Sequence, residues 1–105
     1  MKFGLKEEII DKINSVFVKH SEVEEVILYG SRAKGNFKKG SDIDLVLKGQ
    51  QLDISLLNKI NLEIDDFLLP YSFDISILNQ INNPELIDHI KRNGISFYSS
   101  KGSKI

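Results

Sequence analysis

Leu5, Ile9, Ile10, Ile13, Val16 and Phe17 recur at helical spacing with charged residues between them, which predicts an amphipathic helix from Leu5 to near His20 and Ser21. The period then changes. Residues 24–30, EEVILYG, form a short apolar, β-branched run stopped by glycine, and residues 42–49, DIDLVLKG, form another, so both read as strands. In residues 53–70, DISLLNKINLEIDDFLLP, the helical period returns. Leu57, Ile60, Ile64, Phe67 and Leu68 share one face, Asp53 stands where an N-cap belongs, and Pro70 closes the segment. Residues 71–78, YSFDISIL, alternate Phe73, Ile75 and Ile77 against Ser72, Asp74 and Ser76, the period of a half-buried strand. Asn83 as cap, Pro84 at the first helical position, a stripe of Leu86, Ile87 and Ile90, and Gly94 as stop predict another helix. A short last strand, ISFYS, follows.

This order of elements holds no repeat, linker or low-complexity segment and predicts one α/β (α+β) domain over residues 1–98, with 99–105 as a disordered tail. The alternation also sorts side chains onto faces, because residues two apart in a strand point the same way. Asp42 and Asp44 oppose Ile43, Leu45 and Leu47, and Asp74 opposes Phe73, Ile75 and Ile77. If the apolar faces pack on the helices and the two strands are neighbours, all three aspartates meet on the uncovered side of the sheet.

With 105 residues, 41% hydrophobic and 28% charged, the chain is an ordinary globular domain, far from the disordered class. Fourteen Lys and Arg against fifteen Asp and Glu give a formal charge of −1, so no global field draws it to nucleic acid or to a membrane surface. Any anion site must be local. The absence of cysteine removes disulfides, thiolate zinc sites and a thiol nucleophile, and agrees with a reducing compartment. No uncharged apolar run approaches membrane-spanning length, and the cytoplasm is the expected location.

The candidate chemistry lies in residues 29–47, YGSRAKGNFKKGSDIDLVL. Two carboxylates two residues apart on a strand are roughly 7 Å apart at the backbone, near enough to converge and repel. A divalent cation removes that conflict, and hard cations prefer oxygen ligands with phosphate oxygens completing the shell. Gly30 lets the chain turn out of the preceding strand, Ser31 offers a hydroxyl and an N–H, and a short helix starting there would aim its positive end at an anion. Arg32, Lys34, Lys38 and Lys39 add local positive charge. Gly35 and Gly40 have P-loop spacing, but Ser41 and Asp42 stand where Lys and Ser or Thr are required, and G-x-G-x-x-G is absent. A Walker-type NTPase and a Rossmann dinucleotide site are both excluded.

Gly30-Ser31, ten residues, then Asp42-Ile43-Asp44 resembles the G-S-x10-D-x-D signature of the DNA polymerase β-like nucleotidyltransferases, and GSRAKG with SDIDLVL is similar to their minimal (MNT-type) branch. Asp74 in FDISIL falls where that family has its third carboxylate. The resemblance implies a small mixed sheet with helices packed on one face and the active site on the other. It implies that Asp42, Asp44 and Asp74 are catalytic and hold two Mg²⁺ ions, with Asp74 nearer the attacking hydroxyl. Gly30 and Ser31 would bind the β and γ phosphates of ATP, and a nucleotidyl group would pass to an acceptor hydroxyl while pyrophosphate leaves. Members of the branch are typically encoded beside a HEPN-domain RNase toxin and act as its antitoxin in a hetero-oligomer, some by adenylylating it.

Each residue has a plainer reading. Arg32 and Lys34 meet phosphate or partner, or are simply solvated; Lys38 and Lys39 read as surface charge, and His20 and His89 as helix-end or surface residues. Tyr29 and Tyr71 read as packing at strand edges. The stripe from Leu57 to Leu68 is core first, although so broad an apolar surface could also dock a partner. A templated polymerase needs fingers and thumb for which there is no room, so direct nucleic-acid binding is not expected. The activity the resemblance implies is Mg²⁺-dependent adenylylation of a HEPN partner, a type VII-like antitoxin. The alternatives are a non-catalytic antitoxin acting by occlusion and a nucleotidyltransferase acting on a small molecule.

Overall fold

In the computed structural model, which describes residues 1–100, a mixed sheet is assembled from strands distant in the chain. Helix α1 is Glu7–Val18, strand β1 Glu25–Tyr29, a single helical turn α2 Ser31–Lys34, and strand β2 Ile43–Lys48. Helix α3, Ile54–Asp65, crosses to strand β3, Phe73–Ile77; a 3₁₀ turn at Leu78–Gln80 leads to helix α4, Pro84–Asn93, and strand β4, Ile95–Ser99. The strand order is β3-β2-β1-β4. β1 runs antiparallel to both β2 and β4, and the α3 crossover makes β3 parallel to β2. It is the small mixed sheet with helices that the resemblance implies.

The helix starts follow their sequence signals. Asp53 Oδ1 accepts the Leu56 N–H at 2.9 Å, and Asn83 Oδ1 accepts the Glu85 N–H at 2.9 Å ahead of Pro84. Glu7 and Glu8 place negative charge on the positive end of α1. One end differs from the expectation. α3 stops at Asp65, so Leu68 does not continue its stripe: it takes a positive φ of 54° and is 88% exposed, while Phe67 turns back to the core. Gly94 stops α4 as expected, in an extended conformation, and a Cβ there would strike the Ile90 carbonyl and the Ile27 side chain.

Both faces of the sheet are used. Val26 and Leu28 of β1, Ile43, Leu45 and Leu47 of β2, and Ile75 and Ile77 of β3 pack with Ile13, Val16 and Phe17 of α1 and Leu57, Ile60 and Ile64 of α3. On the opposite face Tyr29 and Val46 pack with Ile90 of α4, joined by Ile27, Leu78, Ile81 and Leu86. The aspartate-bearing face is thus half covered, with α4 over one part and the carboxylates in the other. β4 reaches Ser99, and the Ser100 N–H donates to the Glu24 carbonyl at 3.0 Å. The rest of the expected tail, 101–105, lies outside the described residues.

Candidate active site

β1 ends in a glycine that no other residue could replace without strain. Gly30 has φ 79° and ψ −157°, a conformation closed to L side chains, and a Cβ there would run into the Asp44 carboxylate. The turn therefore brings bare backbone against an acid of the neighbouring strand. α2 follows as one turn, with the Lys34 N–H donating to Gly30 O at 3.1 Å and the Gly35 N–H to Ser31 O at 3.0 Å. The N–H groups of Ser31, Arg32 and Ala33 precede the first intrahelical bond, as in the opening turn of any helix, and are the donors an anion could take.

Strand register sets the carboxylates. Tyr29 pairs with Asp44 across the antiparallel ladder, and Asp44 with Asp74 across the parallel one, so the three form a row across adjacent strands. Neighbouring strands are about 4.8 Å apart, which puts the two acids side by side. Asp42 is exposed immediately ahead of β2. Partial burial, then the charge of Asp74, then that of Asp42, hold the Asp44 carboxyl above its ordinary value of 3.8. The cluster is electrostatically unfavourable as it stands, a state that a cation relieves. Among the described residues no three His, Cys, Asp or Glu side chains converge tightly enough to hold a metal unaided. Mg²⁺ needs no such cage, since it keeps several waters and takes one or two carboxylates together with substrate phosphates.

Tyr29 is the residue sequence reasoning missed. It sits on an interior strand rather than an edge, is 8% exposed, and meets the His89 ring of α4 edge-on at 6.2 Å. Burial, Asp74 and Asp44 together push its phenol up to about 12, which keeps it a neutral donor beside the acids. Alternation alone puts Tyr29 on the face opposite Leu28 and Val26, but only the pairing with β4 makes β1 an interior strand.

Arg32 and Lys34, grouped in the sequence as phosphate donors, part company. Lys34 is exposed at the end of α2. Arg32 is 3% exposed, with Nε and Nη2 donating to Ser41 O at 3.1 and 2.8 Å and Nη1 to Phe3 O at 2.8 Å. Its guanidinium is occupied by main chain. Tyr71, read as packing at a strand edge, lies against that guanidinium. Along the outer edge of β3, beside Asp74, opens a groove of about 610 Å³ lined by Asn61, Asp65, Tyr71, Ser72 and Phe73.

Solved structures share this architecture. A toxin–antitoxin complex with AMP-PNP aligns with a TM-score of 0.70 at 18% identity, over 89% of this chain and 75% of that one. A tri-AMPylated Shewanella oneidensis HEPN toxin in complex with MNT antitoxin aligns at 0.67 and 15%, over 93% and 76%. An MntA–HepT toxin–antitoxin complex aligns at 0.66 and 15%, over 92% and 75%. At such identities the likeness is one of fold. No curated protein matches the chain significantly. The family model described as "Polymerase beta, Nucleotidyltransferase" matches residues 11–103. Because that match runs from within α1 to beyond the end of β4, it takes in the sheet, its helices and the glycine turn at once, and the chain belongs to the polymerase β nucleotidyltransferase family.

Proposed function

We propose that the protein transfers AMP from ATP to a hydroxyl of a HEPN-domain toxin, and is its antitoxin by that modification. The observation that carries this reading is the register that sets Asp74 beside Asp44 while Gly30 lays bare backbone against Asp44. Asp42, Asp44 and Asp74 would hold two Mg²⁺ ions, and the donor chemistry fits: oxygen ligands only, mutually repelling, open to solvent on the Asp42 and Asp74 sides. When bound, the ions supply charge neutralisation for the triphosphate and for the attacking and leaving oxygens.

The remaining work falls to the chain. The Gly30–Ser31 backbone and the Ser31 hydroxyl would take the β and γ phosphates, with exposed Lys34 able to swing onto them. The acceptor oxygen forms a bond to the α-phosphorus, the bond to pyrophosphate breaks, and the hydroxyl proton passes to Asp74. Asp74 is exposed on an edge strand next to the groove, which gives an acceptor side chain room to approach it. Positioning and charge supply the rate, since phosphoryl chemistry asks for little else. A protein acceptor is supported by Val18, Ile54, Leu62 and Leu68, large apolar side chains left exposed on α1, on α3 and just beyond it. One of the solved complexes named above holds a HEPN toxin with an MNT antitoxin, which supports the same partner here.

The test is to incubate the protein with ATP, Mg²⁺ and the HEPN-domain product of an adjacent gene, then weigh the partner. A mass gain of one or more AMP groups, lost with Asp42→Asn and with Asp74→Asn, is the expected result. Neutralisation of the toxin by those variants with no mass change would replace catalysis by occlusion.

A further inference from the structure

We propose that Arg32 is a positioning residue: it bonds the main chain of Ser41 to that of Phe3, and so fixes the entry of β2, with Asp42 and Asp44, against the Gly30 turn. The inference rests on the functional reading above, but not on Arg32 touching nucleotide. A guanidinium is charged at every accessible pH, and burying one is tolerated only when its donors are satisfied. Here no carboxylate lies within ion-pair distance of it among the described residues; both donors toward Ser41 converge on one carbonyl and the third takes Phe3. The Phe37 and Tyr71 rings flank the cation at 5.3 and 5.2 Å, replacing the counter-charge with π faces.

Three chain segments are shaped to build this clamp. Ser41 is held by a local turn, its N–H donating to Lys38 O at 2.9 Å and its hydroxyl accepting the Lys38 N–H at 2.8 Å, which frees its own carbonyl for Arg32. The N-terminal segment closes through a Lys2–Leu5 bridge with Phe3 and Gly4 both at positive φ. A Cβ on Gly4 would strike the Phe37 ring and crowd Arg32 Nη1, so that glycine is the space the clamp requires. The connector from Lys34 to Gly40 is otherwise exposed apart from half-buried Phe37. The clamp holds the chain on the Ser41 side of Asp42, as the Ile43 N–H, donating to Ser72 O at 2.9 Å, holds it on the other.

Arg32→Lys keeps the charge but cannot fork onto one carbonyl while reaching the other, and Arg32→Ala empties the slot between the rings. With ATP, Mg²⁺ and the HEPN partner, both variants are expected to lose at least about 10-fold in kcat, with KM for ATP within about 3-fold of the parent. Millimolar guanidinium, but not ammonium, should restore part of the Arg32→Ala rate. Backbone amide resonances of Asp42 and Asp44 should shift and broaden in Arg32→Lys while those of β4 stay in place, a readout that needs neither nucleotide nor partner. An unchanged kcat in Arg32→Lys, or unmoved Asp42 and Asp44 resonances, would overturn the proposal. A raised KM with unchanged kcat would also do so, making Arg32 a phosphate ligand. Should Arg32→Ala not fold, Arg32→Lys decides. Asp74→Asn in the same assay separates the two levels: a wild-type rate there overturns the functional reading, whereas an inactive Asp74→Asn beside a fully active Arg32→Lys overturns the clamp alone.

Discussion

A methyl group at position 30 would meet two obstacles at once, a positive φ and the Asp44 carboxylate. The backbone term alone costs about 1–2 kcal/mol, and the collision pushes aside an acid that the proposed transfer needs in place. Gly30→Ala is expected to lower the melting temperature by roughly 4–8 °C per kcal/mol lost, and to reduce transfer by at least about 100-fold; melts and the mass assay check each part. Asp44 leads to the opposite prediction for stability. Its carboxyl is held above 3.8 by burial and by Asp74 and Asp42, so the folded chain keeps that proton to higher pH than the unfolded chain does. It therefore gives up stability as pH rises through that interval. Asp44→Asn should melt a few degrees higher than the parent at neutral pH in EDTA, lose that advantage in acid, and transfer nothing. A lower midpoint at neutral pH would mean that the carboxylate is satisfied rather than repelled. At this scale the sequence was legible where one residue type has one use. Glycine before serine and aspartates alternating with apolar residues could be placed from spacing alone. Arg32 could not, because a buried guanidinium and a solvated one look alike until the residues around it are known.

Helices α1 and α3 are joined at one point by a carboxylate. Glu63 accepts from His20 Nε2 at 2.6 Å and from Lys19 Nζ at 3.2 Å, and the His20 bond foremost holds its carboxyl below the ordinary 4.5. A depressed acid contributes stability that is whole above its unfolded value and lost as pH falls through its folded one. Glu63→Gln should therefore cost about 1 kcal/mol at neutral pH, and the two proteins should melt alike in acid, once the pH has fallen below the lowered folded value. An equal difference at both values would assign the loss to packing. The element boundaries that read correctly were those with chemical punctuation: Asp53, Asn83 with Pro84, and the glycine after β1. α3 ran short of its stripe because the apolar period persists through Leu68 while the chain has already turned ahead of Pro70. Tyr29 was misplaced for a related reason. Whether a strand is interior or at an edge depends on β4, which joins β1 from the far end of the chain.

The molecule as a whole has a Cα radius of gyration of 13.1 Å, and among its described residues no helix is long and apolar enough to cross a membrane. Near-zero net charge leaves binding to local geometry, so nucleotide affinity should appear as linkage. Mg²⁺ with a non-hydrolysable ATP analogue, at 100 times its Kd, should add about 2.7 kcal/mol to the unfolding free energy. The same thermal shift after Asp44→Ala, or none in the parent at saturation, would count against the site. The alternation of acid and apolar residues foretold that the acids share a face; it did not show that α4 takes the other part of that face, because the helix's apolar stripe does not reveal which layer it joins.

The parallel pairing of β2 with β3 has a temporal consequence. Asp44 meets Asp74 only after α3 has folded back across the sheet, and β1 gains its second neighbour only when β4 arrives. Both are non-local closures, whose entropy must be met before their contacts repay it. A chain still emerging from the ribosome can form the β1–β2 ladder and the glycine turn, yet it has no third acid and an open β1 edge. The three acids of the proposed site are thereby complete only once β3 has paired with β2, and a chain arrested ahead of Asp74 would carry two of them.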